Sequence, residues 1–183
     1  MLELNFSPFT QIKTERLLLR RVTNADAPEL LFLRSDETIM KYIDREKLKS
    51  LEEAAIFIKT IDEAINNNEK IMWGIALKDK PNNLIGNIGF WRFINQHYRA
   101  EIGYMLHPDF WNKGIMQEAL LATIDFGFKE IKLHSIEAHI NPENIASGNV
   151  LEKCGFIREG YFKEDYYLKG KFIDTVVYSL LAK

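Results

Sequence analysis

Cysteine is almost missing from this chain: Cys154 is the only one in 183 residues. That excludes an internal disulfide and sets the expectation of a reducing compartment and a cytoplasmic protein. Long apolar runs are missing too, none reaching the roughly 18 residues of a membrane span. The opening Met1-Leu2-Glu3-Leu4-Asn5 has neither the basic nor the apolar region of a signal peptide. Neither charge is in excess, since 24 basic and 26 acidic residues leave a net charge of −2. This argues against nucleic acid or an anionic membrane as main partner. Glycine is sparse and forms neither a P-loop nor a dinucleotide-binding pattern. The four histidines show no metal-ligand spacing, so no metal is expected. With no repeat, low-complexity tract or linker in sight, residues 1–183 read as a single domain with the length to bury a substantial core.

What is present alternates between strand and helix patterns. Arg16 to Val22 reads as a strand, and Asn24-Ala25-Asp26 offers capping groups for a helix over Ala27 to Arg34 with Pro28 placed early. Ser50 and Glu53 form a capping-box pattern for a second helix, where Leu51, Ala54, Ala55, Ile58, Ile61 and Ile65 recur at helical spacing up to Asn66. Ile71 to Lys78, Leu84 to Phe93 and Tyr98 to Leu106 read as a meander of three strands. A largely buried helix is expected from about Lys113 to Lys129, then a strand from Leu133 to Ile140 and a helix from about Asn144 to Lys153, stopped by Gly155. Phe156 to Tyr167 and Lys171 to Leu181 complete a hairpin through Lys169-Gly170. The order β-α-α-β-β-β-α-β-α-β-β predicts an α/β (α+β) fold, a mixed sheet with helices on its faces. The unit from Tyr98 to Ile140 would be a right-handed parallel crossover.

The most informative stretch is Leu106-His107-Pro108-Asp109-Phe110-Trp111-Asn112-Lys113-Gly114-Ile115-Met116. It joins a strand end to the first turn of the buried helix through a loop holding a glycine. The free N–H groups of such a helix start, and the positive end of its dipole, converge on one spot. A glycine leaves that spot open to a phosphate. The alternative is that Asn112 simply caps an ordinary helix.

Three segments then resemble the GNAT acyltransferases, and within them the RimJ/RimL-type branch of ribosomal-protein and other N-terminal acetyltransferases. They are Thr14-Glu15-Arg16-Leu17-Leu18-Leu19-Arg20, Ala100-Glu101-Ile102-Gly103-Tyr104 running into Trp111 to Met116, and Asn141-Pro142-Glu143-Asn144-Ile145-Ala146-Ser147 ending at Lys153-Cys154-Gly155-Phe156. The resemblance implies a mainly antiparallel sheet and transfer of an acetyl group from acetyl-CoA to a primary amine. A protein N-terminal α-amine is the preferred acceptor. The alternatives are a small-molecule amine or an acyl-CoA-binding module without turnover, and a homodimer stays open.

By the same resemblance, the amides of Trp111, Asn112, Lys113, Gly114, Ile115 and Met116 hold the CoA diphosphate. Met105 and Leu106 offer a strand edge to the pantetheine arm, and a backbone N–H there would stabilise the charged carbonyl oxygen. Asn144 and Ser147 line the arm. Glu101 is the candidate general base, against the plainer role of a cross-strand partner for Arg92 or Arg99. Ser147 is the candidate acid for the departing thiolate, because Leu151 stands where many relatives have a tyrosine. Trp111 and Met116 also depart from the superfamily's commoner residues, and Met116 is bulkier than usual. The acceptor would be bound around Arg34 to Lys49 and Tyr161 to Lys171. Cys154 is expected to be core filler rather than a nucleophile. Trp73, Phe90, Trp91 and Phe93 are expected to be mostly core, with Trp91 or Phe93 available to wall an acceptor channel.

Overall fold

The computed structural model describes residues 1–43, 45–168 and 170–183. One eight-stranded sheet runs through it: β1 (Ile12–Lys13), β2 (Leu17–Arg20), β3 (Ile71–Leu77), β4 (Gly86–Ile94), β5 (Arg99–Leu106), β6 (Ser135–Ile140), β7 (Ile157–Leu168) and β8 (Lys171–Leu181). The spatial order is β1-β2-β3-β4-β5-β6-β8-β7. Every neighbouring pair is antiparallel except β5 and β6, which the connecting helix makes parallel. Among the described residues four α-helices complete the fold: α1 (Ala27–Leu33), α2 (Leu51–Asn66), α3 (Ile115–Lys129) and α4 (Ile145–Lys153). Among the described residues no helix is long and apolar enough to cross a membrane.

The elements follow the expected order, with local differences that have physical causes. β1 lies in what reads as a tail, too short to show alternation, and pairs with β2. β2 begins after Arg16, whose side chain is engaged elsewhere. In α2 the Ser50 side chain accepts from the Glu53 amide at 3.2 Å as expected, but the Glu53 carboxylate takes the Lys49 amide, one residue before the cap. Leu51 is exposed, so the buried face is set by Ala54, Ile58, Ile61, Ala64 and Ile65. Gly155 adopts φ +90°, the left-handed stop expected after α4. Of the expected hairpin turn, Lys169 lies outside the described residues and Gly170 has φ +88°.

The sheet separates two apolar layers. On one face Leu17, Leu19, Trp73, Ile88, Phe90, Ala100, Ile102 and Leu106 pack with Ile115, Ala119 and Ile124 of α3 and Leu151 of α4. On the other, Leu30 and Leu33 of α1 pack with Ala54 and Ile58 of α2 over Leu84 and Met105. Residues alternate along β5, so Ala100, Ile102, Tyr104 and Leu106 point towards α3 and α4, while Glu101, Gly103 and Met105 point towards α1 and α2. A buried ion pair ties β2 to the entry of α1. Arg20 grips Asp26 with both terminal nitrogens, at 2.8 and 2.6 Å, and Asp26 is 1% exposed.

Candidate active site

Strands β5 and β6 are joined at Arg99↔Ser135, Ala100↔Ile136 and Glu101↔Glu137, and there the ladder stops. Beyond Glu101 the two strands part, so β5 keeps only its β4 neighbour through to Leu106. The fork leaves an open strand edge beside the start of α3. The His107 amide donates to Ile85 at 2.8 Å, on the β4 side. By alternation the Met105 amide also faces β4, and the Tyr104 and Leu106 amides face the fork. Of the two expected strand donors, Leu106 is thus the one aimed into the gap. Its carbonyl is engaged by the Trp111 indole N–H at 2.8 Å, which draws the loop back against the strand.

At the tip of the fork, the loop from His107 to Gly114 turns into α3. Asn112 and Gly114 both have left-handed backbones, φ 58° and 72°. Gly114 itself is the residue before the first helical turn, and no side chain caps that turn. Capping by Asn112, the plainer alternative, is therefore not what is found. The uncapped amides of Ile115 and Met116 and the open approach at Gly114 form a nest of the kind that suits a diphosphate.

The Thr14-Glu15-Arg16 segment fixes this loop from behind. Glu118, in the first turn of α3, accepts from the Thr14 hydroxyl and from the Arg16 amide at 2.8 Å, and pairs with the Arg16 guanidinium at 2.6 Å. Arg16 also donates to the Lys113 carbonyl at 2.9 Å. Burial raises the Glu118 pKa, but these donors outweigh it and hold the carboxyl below its usual value.

Glu101 lies where the strands part, 4% exposed, on the α1 and α2 side of the sheet. A β-bulge follows Trp91, its cross-strand neighbour, and Arg92 takes a strained left-handed backbone, φ 48°. The bulge turns the Arg92 guanidinium to within 3.0 Å of Glu101 Oε2. That contact is not aligned as a hydrogen bond, so the buried Oε2 is left without a donor. Burial raises the Glu101 pKa and Glu137 adds to the rise, against the opposing pull of His139, Arg92 and Arg45. The result is a carboxyl that holds a proton to higher pH than an ordinary glutamate, as suits a base working near neutrality. The cross-strand pairing with Arg92 is real as well, whereas Arg99 pairs with Glu137 at 3.4 Å.

Glu137 and His139 gather beside Glu101, the potential ligand atoms of all three lying within 4.8 Å of one another. Spacing along the chain could not join them, because the parallel β5–β6 register brings them together. The Arg92 and Arg99 guanidinia already balance the two carboxylates there, which disfavours a cation.

On the other face of the fork stands Ser147. Its amide donates to the Asn144 side chain at 3.2 Å, so Asn144 caps α4. The Ser147 hydroxyl is 2.8 Å from the Tyr104 hydroxyl. Sequence reasoning passed over Tyr104. Its place on β5, with the even-numbered side chains directed at α4, was the signal. Leu151 is fully buried in the core. Cys154 is buried too, its thiol pushed up to about 11 by burial, which fits filler rather than a nucleophile. His107 stacks on Phe32 of α1 with centroids 4.6 Å apart, a packing role. Trp73 and Phe90 are core and Phe93 packs on Phe6 and Phe90, leaving Trp91 as the aromatic next to Glu101. In the expected acceptor region, Asp44 and Lys169 lie outside the described residues. Tyr161, Phe162 and Tyr167 stand exposed on the outer strand β7.

The forked β5–β6 pair, the open helix start at its tip and the buried Glu101 carboxylate at its base thus lie together on the sheet. Comparisons with known proteins give the family. The family described as Acetyltransferase (GNAT) domain matches residues 16–157. The uncharacterized N-acetyltransferase YoaA of Bacillus subtilis is 35% identical over 94% of this chain and 97% of its own. A solved GNAT-family acetyltransferase from Bacillus anthracis superposes with a TM-score of 0.82 at 35% identity, over 94% of this chain and 98% of that one. The [ribosomal protein uS5]-alanine N-acetyltransferase of Escherichia coli is 33% identical over 53% of this chain and 50% of its own. The spermidine N-acetyltransferase of Vibrio cholerae, solved with CoA and spermine, has a TM-score of 0.80 at 25% identity over 92% and 96%. The chain belongs to the GNAT family and is an acetyl-CoA-dependent acetyltransferase.

Proposed function

We propose that this protein transfers the acetyl group of acetyl-CoA directly to a primary amine, with a protein N-terminal α-amine as acceptor. The observation that carries the reading is Glu101, a buried carboxylate with a raised pKa at the base of the fork. An amine arrives mostly protonated and must lose a proton before it attacks a thioester carbonyl. Glu101 takes that proton, through a bridging water where the amine does not touch it.

The nest at Gly114 to Met116 holds the diphosphate, and the open edge at Leu106 accepts the amide-bearing arm. The Leu106 N–H then faces the carbonyl oxygen as it gains charge. Ser147 stands on the opposite face from Glu101 and gives its proton to the departing sulfur. Base and acid thus approach the thioester from opposite faces of the sheet, which keeps the two proton transfers apart. The raised thiol pKa of Cys154 supports direct transfer over a route through an acyl-cysteine.

The N-terminal acceptor is supported by resemblance to the RimJ/RimL-type branch and by the uS5-alanine relative. A small-molecule amine is the second reading, favoured by the spermidine relative. A binding module without turnover has no use for a buried base beside the thioester site. The deciding experiment follows CoA thiol release with N-terminal peptides and small amines at saturating acetyl-CoA. Turnover with peptides supports the proposal. Turnover with small amines alone replaces its acceptor, and release with no amine overturns the transfer itself.

A further inference from the structure

Buried polar atoms in folded proteins are nearly always paired, so unpaired ones beside a cleft call for an explanation. Among the described residues, two such atoms of opposite kind stand on adjoining strands: the Trp91 Nε1 donor on β4 and the Glu101 Oε2 acceptor on β5. Trp91 and Glu101 are cross-strand partners, so their side chains stand side by side on the α1 and α2 face. Neither bonds the other. The Arg92 and Arg45 guanidinia lie 5.3 and 5.2 Å from the centre of the Trp91 ring. Such contacts hold the ring in place and leave its N–H unengaged.

The indole reaches along β5 to Gly103. A Cβ built at Gly103 would lie 3.5 Å from Trp91 Nε1 and 3.9 Å from its Cε2. Gly103 follows Glu101 by two residues, so the two share a face, and it is only half-buried. It forms a floor without a side chain, with the carboxylate at one end and the indole N–H alongside. A glycine inside a strand marks the kind of place where a ligand approaches the backbone closely. The next residue on this face is Met105, followed by the Leu106 edge proposed for the thioester carbonyl. The bare floor thus lies between the base and the acyl group, where an attacking amine must sit.

A group that satisfies both atoms must donate to Glu101 and accept from Trp91. An ammonium alone does only the first. In an α-aminoacyl group the amine nitrogen and its own carbonyl oxygen are about 3 Å apart, so one unit does both. We infer that the acceptor is an α-aminoacyl compound seated over Gly103, its amine directed at Glu101 and its carbonyl oxygen receiving the Trp91 indole N–H. This rests on the transfer reading above and narrows its substrate class. The oxygen belongs either to the first residue of a peptide or to the carboxylate of a free amino acid. Alkylamines and polyamines leave the indole unpaired, which a buried site penalises.

The test compares kcat/KM, expressed per free amine, for alaninamide and its carbon isostere, in which methyl groups replace the amide oxygen and nitrogen. Spermidine is run alongside. Alaninamide is expected to lead by about tenfold, the scale of one hydrogen bond to a buried donor. A short peptide beginning with alanine and free alanine show which source of the oxygen is used. Trp91→Phe keeps a ring and removes the N–H, so it should erase most of that lead. A merely structural loss would lower both amines together. Gly103→Ala places a methyl on the floor and should raise the KM for alaninamide more than that for acetyl-CoA. Equal values for the native protein, a lead for the isostere or spermidine, or a lead that survives Trp91→Phe overturns the inference and leaves the transfer reading intact. CoA release with no amine overturns the transfer reading instead. Calorimetric binding of alaninamide and its isostere to the native protein and to Trp91→Phe then still decides the seat. Tighter binding of alaninamide, lost in the variant, supports it; equal binding sinks it.

Discussion

The Tyr104 and Ser147 hydroxyls lie 2.8 Å apart, one on β5 and the other on α4, on the opposite face of the fork from Glu101. Burial drives the Tyr104 pKa far up despite the Ser147 contact, so its hydroxyl keeps its proton at any working pH. With Tyr104 donating to Ser147 Oγ, the serine proton is free to point into the fork. Ser147→Ala is expected to lower kcat by about a hundredfold, the scale of losing one positioned proton donor. Tyr104→Phe is expected to lower kcat less, with the KM for acetyl-CoA little changed. Steady-state kinetics of the two variants and their double measures the coupling. Independent, multiplicative losses would separate Tyr104 from the serine.

The proposed role of Glu101 links activity to pH. As a base it works only when ionised, so kcat/KM is expected to fall with decreasing pH through a pKa above that of an ordinary glutamate. Glu101→Gln should lose about a hundredfold in kcat, retain acetyl-CoA binding and lose this acidic limb. The stability effect has the opposite sign. Because the folded-state pKa is raised, the stabilisation from the protonated form is complete below the unfolded value and is lost as pH rises through the folded pKa. The Tm of Glu101→Gln relative to native is therefore expected to rise across that window. A variant that melts lower at neutral pH would contradict the burial argument.

Gly114 carries the backbone of the proposed diphosphate nest at φ +72°. An added Cβ would lie 3.4 Å from Arg16 Nη2, so Gly114→Ala meets little steric block but forces an alanine into the left-handed region. The cost is about 1 kcal/mol. Thermal melts should show that modest loss, while the KM for acetyl-CoA rises several-fold with kcat less affected. An unchanged KM would remove this loop from cofactor binding.

Asp26 and Arg20 form the buried link between β2 and α1. Removing one partner leaves the other charge uncompensated, so Asp26→Ala is expected to cost about 3–5 kcal/mol in denaturant unfolding. Burial raises the Asp26 pKa, but the bonds from Arg20 and the Thr23 amide more than offset this and lower it. Its contribution is present above the unfolded value, about 4, and is lost as pH falls through the folded one. Native and Asp26→Ala should converge in stability towards low pH.

Much of the architecture was legible because it is written locally. Alternation marks β3 to β5, the Ser50 and Asn144 caps mark α2 and α4, and Gly155 marks a stop. The loop before α3 suggested an anion site because glycine and helix start are neighbours in sequence. What escaped notice depends on register between distant segments. Glu137 and His139 meet Glu101 only because β5 and β6 run parallel with Glu101 opposite Glu137. Tyr104 meets Ser147 only because α4 packs over the even-numbered face of β5. Arg92 reaches Glu101 through a bulge that an alternating pattern does not announce. The β1 pairing was hidden by its two-residue length.

The three-rung ladder between β5 and β6 is the seam of the sheet. Five strands lie on one side and three on the other, and past the third rung no further β5–β6 pairing stitches them together among the described residues. A guest whose amides bond along the free edge of β5 would act as a zip for that seam. Slowed hydrogen exchange on both flanks, and a higher melting point on saturation, are then part of how the cargo is held.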